Sequence, residues 1–215
     1  MDKICCVISG GDINRALLQE NKTKYDRFIA ADSGFEKAVV SEIYPSVLVG
    51  DFDSIGQNAF QTATANPVKM KIIPYPVDKD FSDTHLAIEE GIKLGYTHFH
   101  VYGALGGDRF SHSLSNLQTL GFMKKKGIHV TLLGEKEMIY LIENETLTLA
   151  PPLHSTFSVF SLSEETKGVT ITGAKYPLDD ATLTNINPLG LSNQSTEKEI
   201  AISAGNGQLL VVLEF

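Results

Sequence analysis

Short apolar runs alternate with longer segments of mixed polarity from the N-terminus to about residue 133. Residues 4–9, 27–31, 47–49, 71–75, 99–102 and 129–133 are such runs, and each predicts a buried strand. Helices are expected between them, near 12–20, 35–41, 57–65, 83–94 and 111–126. In the fourth, Leu86, Ala87, Glu90, Gly91 and Leu94 share one face, and Gly95 marks a stop. The fifth carries Leu114, Leu117, Leu120 and Met123 at spacings of three and ends at Gly127. Strands separated by helices make a Rossmann-like, mainly parallel α/β sheet with helices on both faces and right-handed crossovers.

The pattern changes near Gly134. Beyond Tyr140 no amphipathic helix is visible, and residues 146–149, 156–160, 169–172 and 200–204 read as short strands. Pro151-Pro152, Gly173 and Gly205-Asn206-Gly207 punctuate them, and the last turn predicts a hairpin with the closing run. Short strands with regular turns suggest a sandwich or small barrel. Two domains are expected, an α/β domain over 1–136 and an all-β, sandwich-like domain over 137–215.

Composition narrows the setting. The chain has 215 residues, 42% hydrophobic and 20% charged, which fits a globular protein. A net charge of −8 argues against a general nucleic-acid surface. Lys124-Lys125-Lys126 closes a helix, where cations suit the dipole. The two cysteines, Cys5 and Cys6, are neighbours in an apolar strand. Their side chains point to opposite faces, which argues against a mutual disulfide and fits a reducing compartment. No secretory signal pattern and no membrane-length apolar run is visible, so the expectation is a soluble, cytoplasmic protein without a membrane partner.

The candidate chemistry lies just past the strands. Asp32 follows Arg27–Ala31; Asp51 and Asp53 follow the run ending at Gly50; Asp78, Asp80 and Asp83 follow residues 71–77. In an open α/β sheet the carboxyl ends of the strands share one edge, where ligands bind. Several carboxylates gathered there call for a counter-ion, and Mg²⁺ carrying nucleotide phosphates suits hard oxygen ligands. Gly50-Asp51-Phe52-Asp53-Ser54 equally suits a turn in which Asp53 or Ser54 caps a helix. Asp78-Lys79-Asp80-Phe81-Ser82-Asp83 enters a helix N-terminus with three acids around a lysine, more than a cap needs. Residues 103–112 are glycine-rich between strand and helix, which lets backbone N–H groups approach phosphates, although the Gly-Lys-Ser/Thr ending of a Walker loop is missing. Arg109 suits charge stabilisation on a transferred group. His112 is open to a capping or a catalytic role, with Asn116 one turn later. His85, His98, His100, His129 and His154 have no zinc-ligand spacing.

The ordered set ADSG, GDFDSI, DKDFSDTHLA, GALGGDRFSHSLSN and NPLGLSN resembles the thiamine pyrophosphokinase family across the whole chain. That resemblance implies transfer of the pyrophosphoryl group of ATP to the hydroxyl of thiamine, giving thiamine diphosphate and AMP. It implies an α/β ATP-binding catalytic domain, a thiamine-binding β-sandwich, and a homodimer with thiamine sites at the interface. By motif match, Asp32, Asp51, Asp53 and Asp83 are the expected Mg²⁺–phosphate cluster. Lys79, Asp80, Ser82, Arg109 and His112 are expected on ATP, and Ser192 and Asn193 on thiamine. Asp83, then Asp51, is expected to orient the thiamine hydroxyl, with Arg109 beside the transferred group. The cationic thiazolium also suits an acidic site. Four departures stand out. Ser111 replaces the Asp that commonly precedes His112, Asp108 lengthens the glycine loop by one residue, Ser82 replaces the commoner Thr, and the chain has no Trp.

Three other readings compete. A phosphohydrolase using Asp51 as nucleophile leaves the glycine loop and the β-domain unexplained. A pyrophosphokinase acting on a pterin alcohol shares the donor chemistry but not the GLSN segment. A nucleotide sensor without turnover draws only on Ser111.

Overall fold

The structure is a computed structural model that describes residues 3–53, 55–56, 61 and 70–215. The helix expected over 57–65 therefore lies outside the described residues except at Gln61, and Ser54 lies outside them too. The chain divides into two compact units, Met1–Glu135 and Lys136–Phe215.

In the first unit six strands form in chain order: β1 (Ile4–Ile8), β2 (Arg27–Ala31), β3 (Val47–Gly50), β4 (Lys71–Pro74), β5 (His98–Tyr102) and β6 (His129–Leu133). They lie in the order β6-β5-β1-β2-β3-β4, and every neighbouring pair is parallel. The chain adds strands outward from β1 as far as β4, then returns to place β5 on the other side of β1. The chain consequently leaves β1 and β5 toward opposite sides of the sheet, and such a switch point marks the ligand-binding crevice at the carboxyl edge. Parallel strands buried on both faces read as unbroken apolar runs, as β1 and β3 do. Cys5 and Cys6 on β1 are buried and unbridged. Burial pushes the Cys5 thiol up to about 12 and Cys6 well above its ordinary value, so neither is a nucleophile near neutral pH.

Four α-helices are bounded within the described residues of this unit: α1 (Arg15–Asn21), α2 (Gly34–Val40), α3 (Asp83–Lys93) and α4 (Phe110–Lys125). Asn14 caps α1, its Oδ1 accepting from the Leu17 N–H at 3.0 Å, so the helix starts later than its polar pattern suggests. Two expected core positions are exposed. Leu94 lies just past α3 and is 47% exposed; Leu114 on α4 is 50% exposed. A spacing of three falls 60° short of a full turn at each step. Leu114 therefore lies about 120° from Leu120, while Asn116 and Thr119 join Leu120 and Met123 on the buried face.

The second unit holds eight strands: β7 (Glu137–Ile142), β8 (Glu145–Leu149), β9 (Thr156–Ser161), β10 (Glu165–Thr172), β11 (Leu178–Thr184), β12 (Asn193–Gln194), β13 (Ile200–Ala204) and β14 (Leu209–Glu214). Two antiparallel sets, β12-β9-β14-β7 and β11-β10-β13-β8, enclose one apolar core. Phe157, Val159 and Val211 come from the first set, and Val169, Ile171 and Ile202 from the second. The hairpin expected across Gly205–Gly207 does not form. β13 pairs with β8 and β10, whereas β14 pairs with β7 and β9, so the turn carries the chain from one set to the other. Both runs bury alternate residues in the same core, which a turn between facing layers achieves and a hairpin within one layer does not. Among the described residues no helix is long and apolar enough to cross a membrane.

Candidate active site

A cavity of about 670 Å³ opens on residues that follow the strands of the first unit. Ser9, Gly10 and Gly11 follow β1, Asp32 follows β2, Asp51 and Asp53 follow β3, and Gly103, Ala104, Gly106, Gly107, Asp108 and Arg109 follow β5. Lys79, Asp80, Ser82 and Asp83 reach it from the entry to α3, and His112 and Asn116 from α4. Asp78 is exposed and is not among the lining residues.

Local sequence explains how the carboxylates converge. In Gly50-Asp51-Phe52-Asp53 the middle residue turns inward, and Phe52 packs beside Ala30, Phe35 and Leu48. That anchor leaves Asp51 and Asp53 on the cavity side, with the Asp53 N–H donating to Asp51 Oδ1 at 3.3 Å. A Cβ at Gly50 would fall 3.2 Å from that of Asp32, so glycine lets the loops after β2 and β3 approach. Asp32 and Phe52 both have positive φ, 47° and 65°, a region that side-chain-bearing residues rarely adopt. Oxygens of Asp32, Asp51 and Asp53 lie within 4.8 Å of one another. Two oxygens facing each other across one Mg²⁺ shell stand about 4.2 Å apart, so the triple fits a hard divalent cation after a small adjustment.

Asp83 is not part of that triple and joins it through Lys79. The Lys79 Nζ lies 2.6 Å from Asp51 Oδ2 and 2.8 Å from Asp83 Oδ1. Burial pulls the ammonium down, but its bonds to the two carboxylates outweigh that and hold it above its ordinary value. Asp51 is lowered, chiefly by the hydrogen bond from Lys79. Ser82 caps α3, its Oγ accepting from the His85 N–H at 3.2 Å, which places Asp83 in the first turn. The buried Thr84 hydroxyl meets that of Ser9 at 2.9 Å and ties this helix start to the end of β1.

Two glycine loops close the floor. Gly11 N–H donates to Gly103 O at 2.7 Å, Asp12 N–H to Leu105 O at 3.0 Å, and Gly107 N–H to Asp12 Oδ2 at 2.9 Å. A Cβ on Gly103 would sit 2.2 Å from Ser9 O, so the close approach requires glycine. Asn116 Nδ2 donates to Ala104 O at 2.7 Å, securing the loop to α4. Arg109 and His112 stand exposed at the start of α4. Gly10, Gly11, Asp12 and Thr84 were not singled out from the sequence as site residues. The one signal for the first three was the Gly10-Gly11 break directly after β1, matched by a second glycine-rich break after β5.

Ser192 and Asn193 belong to the second unit, and the cavity lining belongs entirely to the first. Ser192 is exposed with φ 59°. Asn193 is buried and its amide is engaged locally: Oδ1 accepts from Tyr176 and Gln194 N–H, and Nδ2 donates to Tyr176 O at 2.7 Å. Its side chain shapes the turn that presents Ser192.

Fold and site define an α/β unit with an acidic, glycine-floored cavity able to hold a hard cation and a polyphosphate, joined in one chain to an all-β unit. Residues 18–132 match the family described as thiamin pyrophosphokinase, catalytic domain, and residues 139–209 match thiamin pyrophosphokinase, vitamin B1 binding domain. The chain belongs to the thiamin pyrophosphokinase family. It is 25% identical over 186 residues to the thiamine pyrophosphokinase of Bacillus subtilis, covering 86% of each protein. In fold it resembles the crystal structure of that enzyme, with a TM-score of 0.86, 24% identity and 99% of both chains covered. It likewise resembles thiamin pyrophosphokinase from Candida albicans, with a TM-score of 0.79, 15% identity, and 100% and 89% of the two chains covered.

Proposed function

We propose that this protein transfers the pyrophosphoryl group of ATP to the hydroxyl of thiamine, yielding thiamine diphosphate and AMP. The observation that carries this reading is the meeting, in one cavity, of the Asp32–Asp51–Asp53 triple, the Lys79 bridge to Asp83, and the paired glycine loops. Membership of the family supplies the acceptor.

Mg²⁺ held by Asp32, Asp51 and Asp53 would neutralise polyphosphate charge. The glycine loops supply backbone N–H groups for the phosphates, with Asp80, Ser82 and His112 on the surrounding rim. Arg109, exposed at the cavity, is positioned for charge that develops on the transferred group and the departing AMP. Lys79 serves the donor phosphates once they compete for its ammonium. Asp83 accepts a hydrogen bond from the thiamine hydroxyl and aims its oxygen at the β-phosphorus. Alignment and charge stabilisation are the main contributions, as in phosphoryl transfer generally.

The same reading makes the first unit a Rossmann-like ATP-binding domain with helices on both faces, and the second a thiamine-binding domain. The working form is a cytoplasmic homodimer in which Ser192 and Asn193 of one copy approach thiamine at the interface. Chromatography after mixing chain, ATP, Mg²⁺ and thiamine tests it. AMP and thiamine diphosphate should appear one for one; thiamine monophosphate with ADP, or phosphate formed without thiamine, would overturn it.

A further inference from the structure

The cavity is mostly polar, with six lining carboxylates against Lys79 and Arg109. Val77 and Phe81 are the large apolar side chains among its described lining residues, and they are 69% and 46% exposed. Phe81 is not a loose surface ring. Its centroid lies 4.2 Å from that of His85, with the planes 16° apart, so one face is stacked. His85 is itself buried and packs on Phe122 at 5.1 Å. Lys126 lies 4.6 Å over Phe122 and pairs with Glu89 at 2.6 Å. His85 and Phe122 do not line the cavity, whereas Phe81 does. Phe81 therefore lines the cavity while one of its faces is covered by His85. The Ser82 cap fixes the backbone next to it.

We infer that Phe81 is a substrate-binding residue whose uncovered face receives the positively charged thiazolium ring of the acceptor. This rests on the pyrophosphoryl-transfer reading above. Three arguments favour that ring over the nucleobase. Phe81 lies two residues before Asp83, which receives the attacking hydroxyl, and only two carbons separate that hydroxyl from the thiazolium. The adenine, by contrast, is removed from the reacting phosphorus by a ribose and a phosphate. Phe81 also lies beside Asp80, and a cation over an aromatic face within an acidic wall is favoured twice. Buried His85, which packs in turn on the partly exposed Phe122, backs the ring before substrate arrives, so less ordering remains on binding.

The test is calorimetric binding of thiamine, and of a non-hydrolysable ATP analogue with Mg²⁺, to the whole protein and to F81A, F81L and F81Y, together with steady-state kinetics. Thiamine affinity should fall about tenfold or more in F81A and F81L and stay within about threefold in F81Y, with nucleotide affinity unchanged. The Michaelis constant for thiamine should rise more than kcat falls. If F81A binds and converts thiamine like the unmodified protein, the inference is wrong while the transfer reading stands. Loss confined to the ATP analogue would assign Phe81 to the nucleobase and also overturn it. If the unmodified protein binds the analogue but neither binds nor converts thiamine, the transfer reading itself falls.

Discussion

The ammonium of Lys79 sits 2.6 Å from Asp51 Oδ2 and reaches Asp83 at 2.8 Å, so one cation joins two acidic segments that come from different strands. Both carboxyl groups are largely shielded from water, and leaving either without a partner is costly. Lys79→Met should therefore lower the melting temperature in the absence of divalent ions. Added Mg²⁺ should restore more of it than it adds to the unmodified chain, because the metal replaces the missing charge. Thermal scans across a Mg²⁺ series check this, and equal Mg²⁺ responses in the two proteins would contradict it.

Asp83→Asn retains the shape of the side chain and removes its charge. Turnover should fall by about a hundredfold or more, with thiamine affinity changed far less. Survival of activity within about threefold, under ~1 kcal/mol of barrier, would remove Asp83 from the reaction.

Gly103 has φ +68°, and a Cβ there meets Ser9 O at 2.2 Å. Gly103→Ala should cost roughly 1–3 kcal/mol of stability and raise the Michaelis constant for ATP, since the strained loop forms the proposed phosphate floor. Chemical denaturation together with ATP titration reads both effects. Unchanged stability would mean that the two glycine loops are not locked together.

His100 on β5 accepts or donates at 3.1 Å to the Tyr25 hydroxyl, which also meets Tyr102 at 2.9 Å. Burial, aided by the charges of Lys24 and His98, lowers its pKa from 6.5 to about 4. Between those values the unfolded chain binds a proton that the folded chain refuses. The stability contributed by this group is thus complete above pH 6.5 and is lost as pH falls toward 4, by up to about 3 kcal/mol. His100→Gln should flatten the dependence of the melting temperature between pH 7 and 4.5, and an unchanged slope would assign it to other groups.

Strand positions in the first unit were most legible where parallel strands buried on both faces are unbroken apolar runs, as in Ile4–Ile8 and Val47–Gly50. The acidic residues beyond them could be placed at one edge for the same reason. What the sequence concealed depends on contacts between distant segments. Asp12 matters through its bonds to Leu105 and Gly107, and Thr84 through its meeting with Ser9. β11 was missed because it buries only Leu183 among its seven residues, leaving no alternation to detect. The false hairpin at Gly205–Gly207 shows that a glycine turn between two apolar runs does not reveal whether they share a layer.

Transfer of two phosphoryl groups as one unit is the central claim, and ATP radiolabelled at the β-phosphorus tests it most directly. After incubation with thiamine and Mg²⁺, the label should appear in thiamine diphosphate while AMP carries none. Label retained in ADP, with unlabelled thiamine monophosphate as the other product, would contradict the account.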